Sequence, residues 1–276
     1  MGLFCYGGFK LPTPMDTSLE RASYGAYQPF KNNIEGTTGF FRAPVSQEAV
    51  MSAAMTRINS KPLRVLVAPG SWGCEALTLS MIVEKLQPQA QVQIDTLDIS
   101  GLFTAVAMQK KYPRKMLAGI PADYSHMFNA ASVEQFITPV ETVSQRVNVL
   151  PAGNISDFTP DAPYDVVFCM NMLRHIEYGK IPEVIEKLAT LAKHILCFNG
   201  LENMSNSVAS ASRVSYEKLQ VELRETFGFL IASSSFKAHP INRSLPVLSE
   251  EGLREACFNV DRKQDGNNFV LLRELG

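Results

Sequence analysis

The sequence predicts a doubly wound α/β domain on a mostly parallel sheet, and two features carry that expectation. Short apolar runs end in turn residues, and the stretches between them place apolar residues at helical spacing. A third feature, an antiparallel hairpin at the C-terminal end, sets the edge of the sheet apart from the rest.

The first run, Leu63-Arg64-Val65-Leu66-Val67-Ala68, stops at Pro69-Gly70 as a buried parallel strand does, and Leu79, Ile82, Val83 and Leu86 follow as one face of a helix. Val92 to Leu97 reads as the second strand, Leu102 to about Lys110 as a helix, and Val147 to Leu150 and Asp165 to Cys169 as two further strands. Ile181 to Lys193 is a helix with Pro182 in its first turn, apolar positions at Ile185, Leu188 and Ala192, and a Glu183 to Lys187 pair outside. His194 to Phe198 makes the fifth strand, and this rhythm implies right-handed crossovers. Near the end, Glu250 to Cys257 reads as a helix, and Asn259 to Arg262 and Phe269 to Arg273 as the two arms of the hairpin. Ahead of the first strand, residues 1 to about 36 read as an irregular arm and Pro44 to about Ser60 as a helix. The chain thus divides into an arm and helix over 1–60 and a main domain over 61–276, with insertions at about 111–146 and 201–247. The second insertion holds a charged helix near Tyr216 to Thr226.

With 276 residues, 46% of them hydrophobic, the chain can bury a full core. A net charge of -1, from 26 Lys+Arg against 27 Asp+Glu, offers no broad attraction to a polyanion, so no nucleic-acid partner is expected. The five cysteines lack CxxC spacing and fit reduced thiols in a cytoplasmic setting. No run approaches the roughly eighteen apolar residues of a membrane span. At the start, Tyr6 stands where an N-myristoylation signal has Ser or Thr.

Ligands of doubly wound sheets bind beyond the carboxyl ends of the strands, which directs attention to the residues just after each one. After the first come Pro69-Gly70-Ser71-Trp72-Gly73-Cys74-Glu75, where Gly70 and Gly73 permit a tight turn and an approach to the backbone. After the second comes Asp98, roughly two dozen residues past the glycines, where a carboxylate can accept both hydroxyls of a ribose. Either feature alone also suits a structural turn or a helix cap. The glycine spacing matches neither G-x-G-x-x-G nor a Gly-Lys-Ser/Thr phosphate loop, so an adenosyl ligand without phosphates is preferred, and an antiparallel final hairpin on such a sheet is what S-adenosylmethionine methyltransferases have.

Several short motifs, in order from about residue 37 to 200, resemble the CheR-type chemotaxis-receptor (protein-glutamate) methyltransferases. Thr37-Thr38-Gly39-Phe40-Phe41-Arg42 is similar to their T-x-F-F-R segment, Ser71-Trp72-Gly73-Cys74-Glu75 to S-x-G-E-E, and Leu97-Asp98-Ile99 to S-D-I. Tyr112, Ile120-Pro121 and Phe128 resemble the pattern of their small β-subdomain. Val147-Asn148-Val149 with Asn154-Ile155 resembles V-x-F followed by Asn-Leu, and Tyr164 to Asn171 resembles F-D-x-I-F-C-R-N.

The resemblance implies a seven-stranded, Rossmann-like methyltransferase sheet with a small inserted subdomain, and an enzyme that methylates a protein glutamate carboxylate. It implies that Glu75 holds the methionyl ammonium, Asp98 the ribose, and Asn154 with Ile155 the adenine. Gly70, Ser71 and Gly73 would form the loop beside the cofactor, Met170 and Asn171 would line the site near the sulfonium, and Thr38 and Arg42 would reach in from the preceding helix. Arg42 would also orient the acceptor carboxylate. Such an acceptor is ionised at neutral pH and needs neither base nor metal. The chain departs from the family pattern at Met170 (family Arg), His175 (Tyr), Cys74 (Glu) and Ala76 (Pro). Met170 makes the acceptor pocket less cationic, and His175 is a candidate base for a hydroxyl or amine. A small-molecule acceptor and a non-catalytic S-adenosylmethionine-binding module are therefore the alternatives. Oligomeric state is not legible.

Overall fold

The computed structural model describes residues 38–42, 44–129, 135–173, 176, 180–198, 229–234 and 269–273. In chain order, α1 (Pro44–Arg57) precedes β1 (Leu63–Val67), α2 (Cys74–Leu86), β2 (Val92–Thr96) and α3 (Gly101–Gln109). The first expected insertion holds β3 (Tyr112–Pro113), a 3-10 turn at Arg114–Gly119, α4 (Ala122–Ser125), β4 (Phe128–Asn129), β5 (Phe136–Pro139) and α5 (Glu141–Ser144). Then come β6 (Val147–Val149), β7 (Tyr164–Cys169), α6 (Ile181–Leu191), β8 (Ala192–Phe198), β9 (Phe229–Ser234) and β10 (Phe269–Arg273).

The main sheet runs β6-β2-β1-β7-β8-β10-β9, and β3-β5-β4 form a small antiparallel sheet. The first five strands of that order are parallel, and strand order reverses between β1 and β7. Register brings Val67, Thr96, Val149 and Phe168 level with one another, so the chain leaves these strands along one common edge. Side chains alternate across the sheet: Val65, Val67, Val166, Phe168, Ile195 and Cys197 join the core under α1 and α2. Leu66, Ala68, Val167, Cys169, Leu196 and Phe198 join a second core with Ile185, Leu188 and Ala189 of α6. Both faces are covered, which is why the strands read as unbroken apolar runs.

The end of the sheet differs from expectation. Both edges of β10 are taken, by β8 and by β9, each antiparallel. The antiparallel partner is therefore 229–234 rather than 259–262, and the stretch expected as an insertion over 201–247 contains a sheet strand. Short-range alternation could point to the nearer segment, but a strand bonds only two neighbours. Residues 259–262 themselves and the charged helix near 216–226 lie outside the described residues. The helix expected to reach Lys193 stops at Leu191, because Ala192 pairs in parallel with Tyr164 and the chain is already strand.

Candidate functional site

Asp98 sits just past β2, buried, with each carboxylate oxygen bonded to a backbone donor. Oδ2 accepts from Ser71 N–H at 2.7 Å and Oδ1 from Ser100 N–H at 2.8 Å. The helix cap is Ser100, whose Oγ accepts from Phe103 N–H, so capping α3 does not account for the acid. One lone pair on each oxygen lies beyond these two bonds, enough for a pair of vicinal hydroxyls. Burial raises the Asp98 pKa, and the two backbone bonds oppose that rise. The neighbouring acid Asp95 is also buried, but its carboxylate accepts from Gln93, Asn148 and the Tyr164 hydroxyl inside the sheet, which makes it part of the scaffold.

The loop after β1 is tied to the same point. Gly70 N–H donates to Leu97 O at 2.7 Å and Gly73 N–H to Gly70 O at 2.8 Å, while Ser71 holds φ at 47° as it donates to Asp98. These three N–H groups are used within the protein, so the loop is not a phosphate cradle, in keeping with an adenosyl ligand. Packing is what requires the glycines. A Cβ on Gly70 would lie 1.9 Å from Thr96 Oγ1, and one on Gly73 (φ 79°) 3.3 Å from Ala107 Cβ and 3.4 Å from the Tyr112 hydroxyl. The approach they allow on the side-chain side is that of the protein itself. Tyr112, fully buried, also donates to Trp72 O at 2.7 Å and so fastens the loop to the first insertion.

Segment 38–42 comes in over the start of α2. Phe40 packs edge-on against Tyr112 and Phe128 at 5.1 and 5.2 Å, and Phe41 N–H donates to Thr78 Oγ1 at 3.1 Å. Thr38 hydrogen-bonds the buried Cys74 thiol, which burial pushes up to about 12 and the Arg42 charge pulls back. Glu75, partly buried, is pushed up to about 7 by desolvation, against the Arg42 charge and a hydrogen bond from Gln47. That bond runs from Gln47 Nε2 to Glu75 Oε1 at 2.7 Å. The sequence reading missed Gln47. Its signal is a polar residue at the head of the apolar stripe Val50, Met51, Ala54.

The loop after β6 reaches the same place, since Gly153 N–H donates to Asp98 O at 2.9 Å. Next to it Asn154 is exposed, with its Oδ1 accepting from Ser156 N–H, and Ile155 is buried. At the end of β7 Met170 is buried and Asn171 holds φ at 61°. Cys169, just before it, is kept neutral by burial and feels the Glu75 charge. Hydrogen bonds thus group Gly153 and Ser71 with Asp98, and separately Thr38 with Cys74 and Gln47 with Glu75, with Cys74 and Glu75 both feeling the Arg42 charge. His175 lies outside the described residues.

Residues 36–217 match the family model described as CheR methyltransferase, SAM binding domain. The chain is 32% identical over 163 residues to the "Probable biofilm formation methyltransferase WspC" of Pseudomonas putida, covering 56% of this chain and 38% of that protein. The WspC of Pseudomonas aeruginosa is 29% identical over 166 residues, again covering 56% and 38%. The chain thus spans about two fifths of the length of the curated relatives it matches. Among solved structures, magnesium protoporphyrin IX methyltransferase of Synechocystis PCC 6803 with bound SAM superposes with a TM-score of 0.46 at 14% identity, covering 97% of this chain and 100% of that one.

Proposed function

The chain belongs to the CheR methyltransferase family, and from that premise we propose that it is an S-adenosylmethionine-dependent methyltransferase acting on a carboxylate, that of a glutamate side chain on a protein. The observation that carries the cofactor reading is Asp98, buried at the tip of β2 and held by one backbone N–H from each of two flanking loops. In this reading Asp98 receives the ribose hydroxyls, Asn154 and Ile155 the adenine, and Glu75 the methionyl ammonium. Gly70, Ser71 and Gly73 shape the adjoining wall, and Thr38, Met170 and Asn171 close in on the reacting centre. The arm and helix before residue 60 complete the site of the domain that follows. The sheet that ends in β10 and β9, with its small antiparallel companion, is read as the seven-stranded methyltransferase plan with the family's subdomain. A cytoplasmic setting suits the buried thiols of Cys74, Cys169 and Cys197, which form no disulfide among the described residues.

When bound, S-adenosylmethionine supplies an electrophilic methyl group on a sulfonium. The protein's part is positioning. An acceptor carboxylate is already ionised, so Arg42 needs only to hold it in line and shed its water, and no side chain has to take a proton. Arg42 is near enough for its charge to be felt by both Glu75 and Cys74, which supports reading its guanidinium as lying on the side of the site where Glu75 stands.

Incubation with a methyl-labelled donor and a bacterial protein extract tests this. Base-labile label on protein, released as methanol, is expected. Base-stable label, or donor binding without turnover, would overturn the carboxylate assignment. Arg42→Ala should lose turnover by about a hundredfold while donor affinity falls less, and undiminished turnover would remove Arg42 from the mechanism.

A further inference from the structure

Gln47 is 1% exposed on α1, in line with Val50, Met51 and Ala54, which are all buried. Its Nε2 donates to Glu75 Oε1 at 2.7 Å, and its own Oε1 is buried with no hydrogen-bond partner among the described residues. An unpaired buried carbonyl is costly, and an apolar side chain of the same length would be free of that cost. What such a side chain could not provide is a donor to a carboxylate.

We propose that Gln47 is a positioning residue that holds the Glu75 carboxylate ionised and turned toward the ammonium at the amino-acid end of the methyl donor. The proposal rests on the reading of Glu75 given above. From the elements around it, Glu75 faces Arg42 of segment 38–42, Gln47 of α1, Cys74 of its own helix and Cys169 of β7. Arg42 and Gln47 favour the charged carboxylate. Desolvation opposes them and leaves Glu75 titrating at about 7. A carboxyl poised there is only partly ionised at neutral pH, and loss of a donor bonded to its charged form moves it further toward the neutral acid. Glu75 ionises as pH rises, so affinity for an ammonium ligand rises through that range. Loss of Gln47 moves the rise to higher pH.

Titration calorimetry with S-adenosylhomocysteine, which keeps the amino-acid end, tests this between about pH 6 and about pH 9. Gln47→Met matches the length and lacks the donor, and Gln47→Leu is a second variant should the first pack poorly. Binding is expected to weaken about fivefold at pH 7 and to recover toward pH 9, with the midpoint of the affinity curve shifted up by about one unit. A deficit equal at every pH, or no deficit, would overturn the role of Gln47. Glu75→Gln separates the two levels of inference. Weak, pH-independent binding in that variant upholds the role of Glu75, and the Gln47 variants then decide the role of Gln47 alone. Parental binding would overturn the Glu75 assignment and the proposal together.

Discussion

At the scale of single residues, the two buried acids of β2 and its tip show how partners decide between scaffold and site. Asp95 is answered by three side chains of the sheet, one of them Tyr164, two strands away across β1. Among the described residues Asp98 is answered only by backbone N–H groups, one bond to each oxygen, so its side chain is oriented yet keeps acceptor capacity. Asp98→Ala should weaken S-adenosylhomocysteine binding by about 1–3 kcal/mol. Calorimetry that finds the affinity unchanged would refute the ribose assignment. Spacing from the glycines singled out Asp98 without reference to its partners. Gln47 was not found in that way, because a glutamine in a helix shows its use only when the carboxylate it meets, 28 residues on, is brought beside it.

At the scale of elements, the turn from β1 into α2 is set by contact with its neighbours. Gly70 lies so close to β2 that a methyl group would overlap Thr96 Oγ1, an atom that is itself buried and without a hydrogen-bond partner among the described residues. Gly70→Ala should lower unfolding stability by about 1–3 kcal/mol through overpacking. Because the clash is with a single hydroxyl, the pair Gly70→Ala with Thr96→Ala should recover most of that loss in a denaturant-unfolding cycle. Strict additivity of the two changes would show that the glycine is needed for some other reason. The parallel strands and the helices between them were legible because the strands are unbroken apolar runs and the helices carry a 3.6-residue period, whereas the short elements over 112–144 carry neither pattern. The partner of β10 was not, since pairing is chosen by the free edge of the sheet and not by nearness in sequence.

At the scale of the whole molecule, the site is assembled from parts that lie far apart in the chain. Phe40 wedges between Tyr112 and Phe128, and Phe41 is anchored on Thr78, so segment 38–42 is pinned to both the small sheet and α2. Phe40→Leu should give up about 0.5–1.5 kcal/mol per aromatic pair and loosen the whole segment. Hydrogen exchange at the Phe41 amide is expected to quicken, and unchanged protection there would mean that the segment is held by other contacts. By itself the sequence determined the alternation of strand and helix, the apolar faces, and the glycine bend and acid that mark two strand tips, since these are local patterns of period and turn chemistry. Only the tertiary structure decided which acid stays available, that the bare faces of Gly70 and Gly73 meet protein, and that Gln47 reaches Glu75. Each of these depends on the distance between residues remote in the chain, and the folded sheet alone sets that distance.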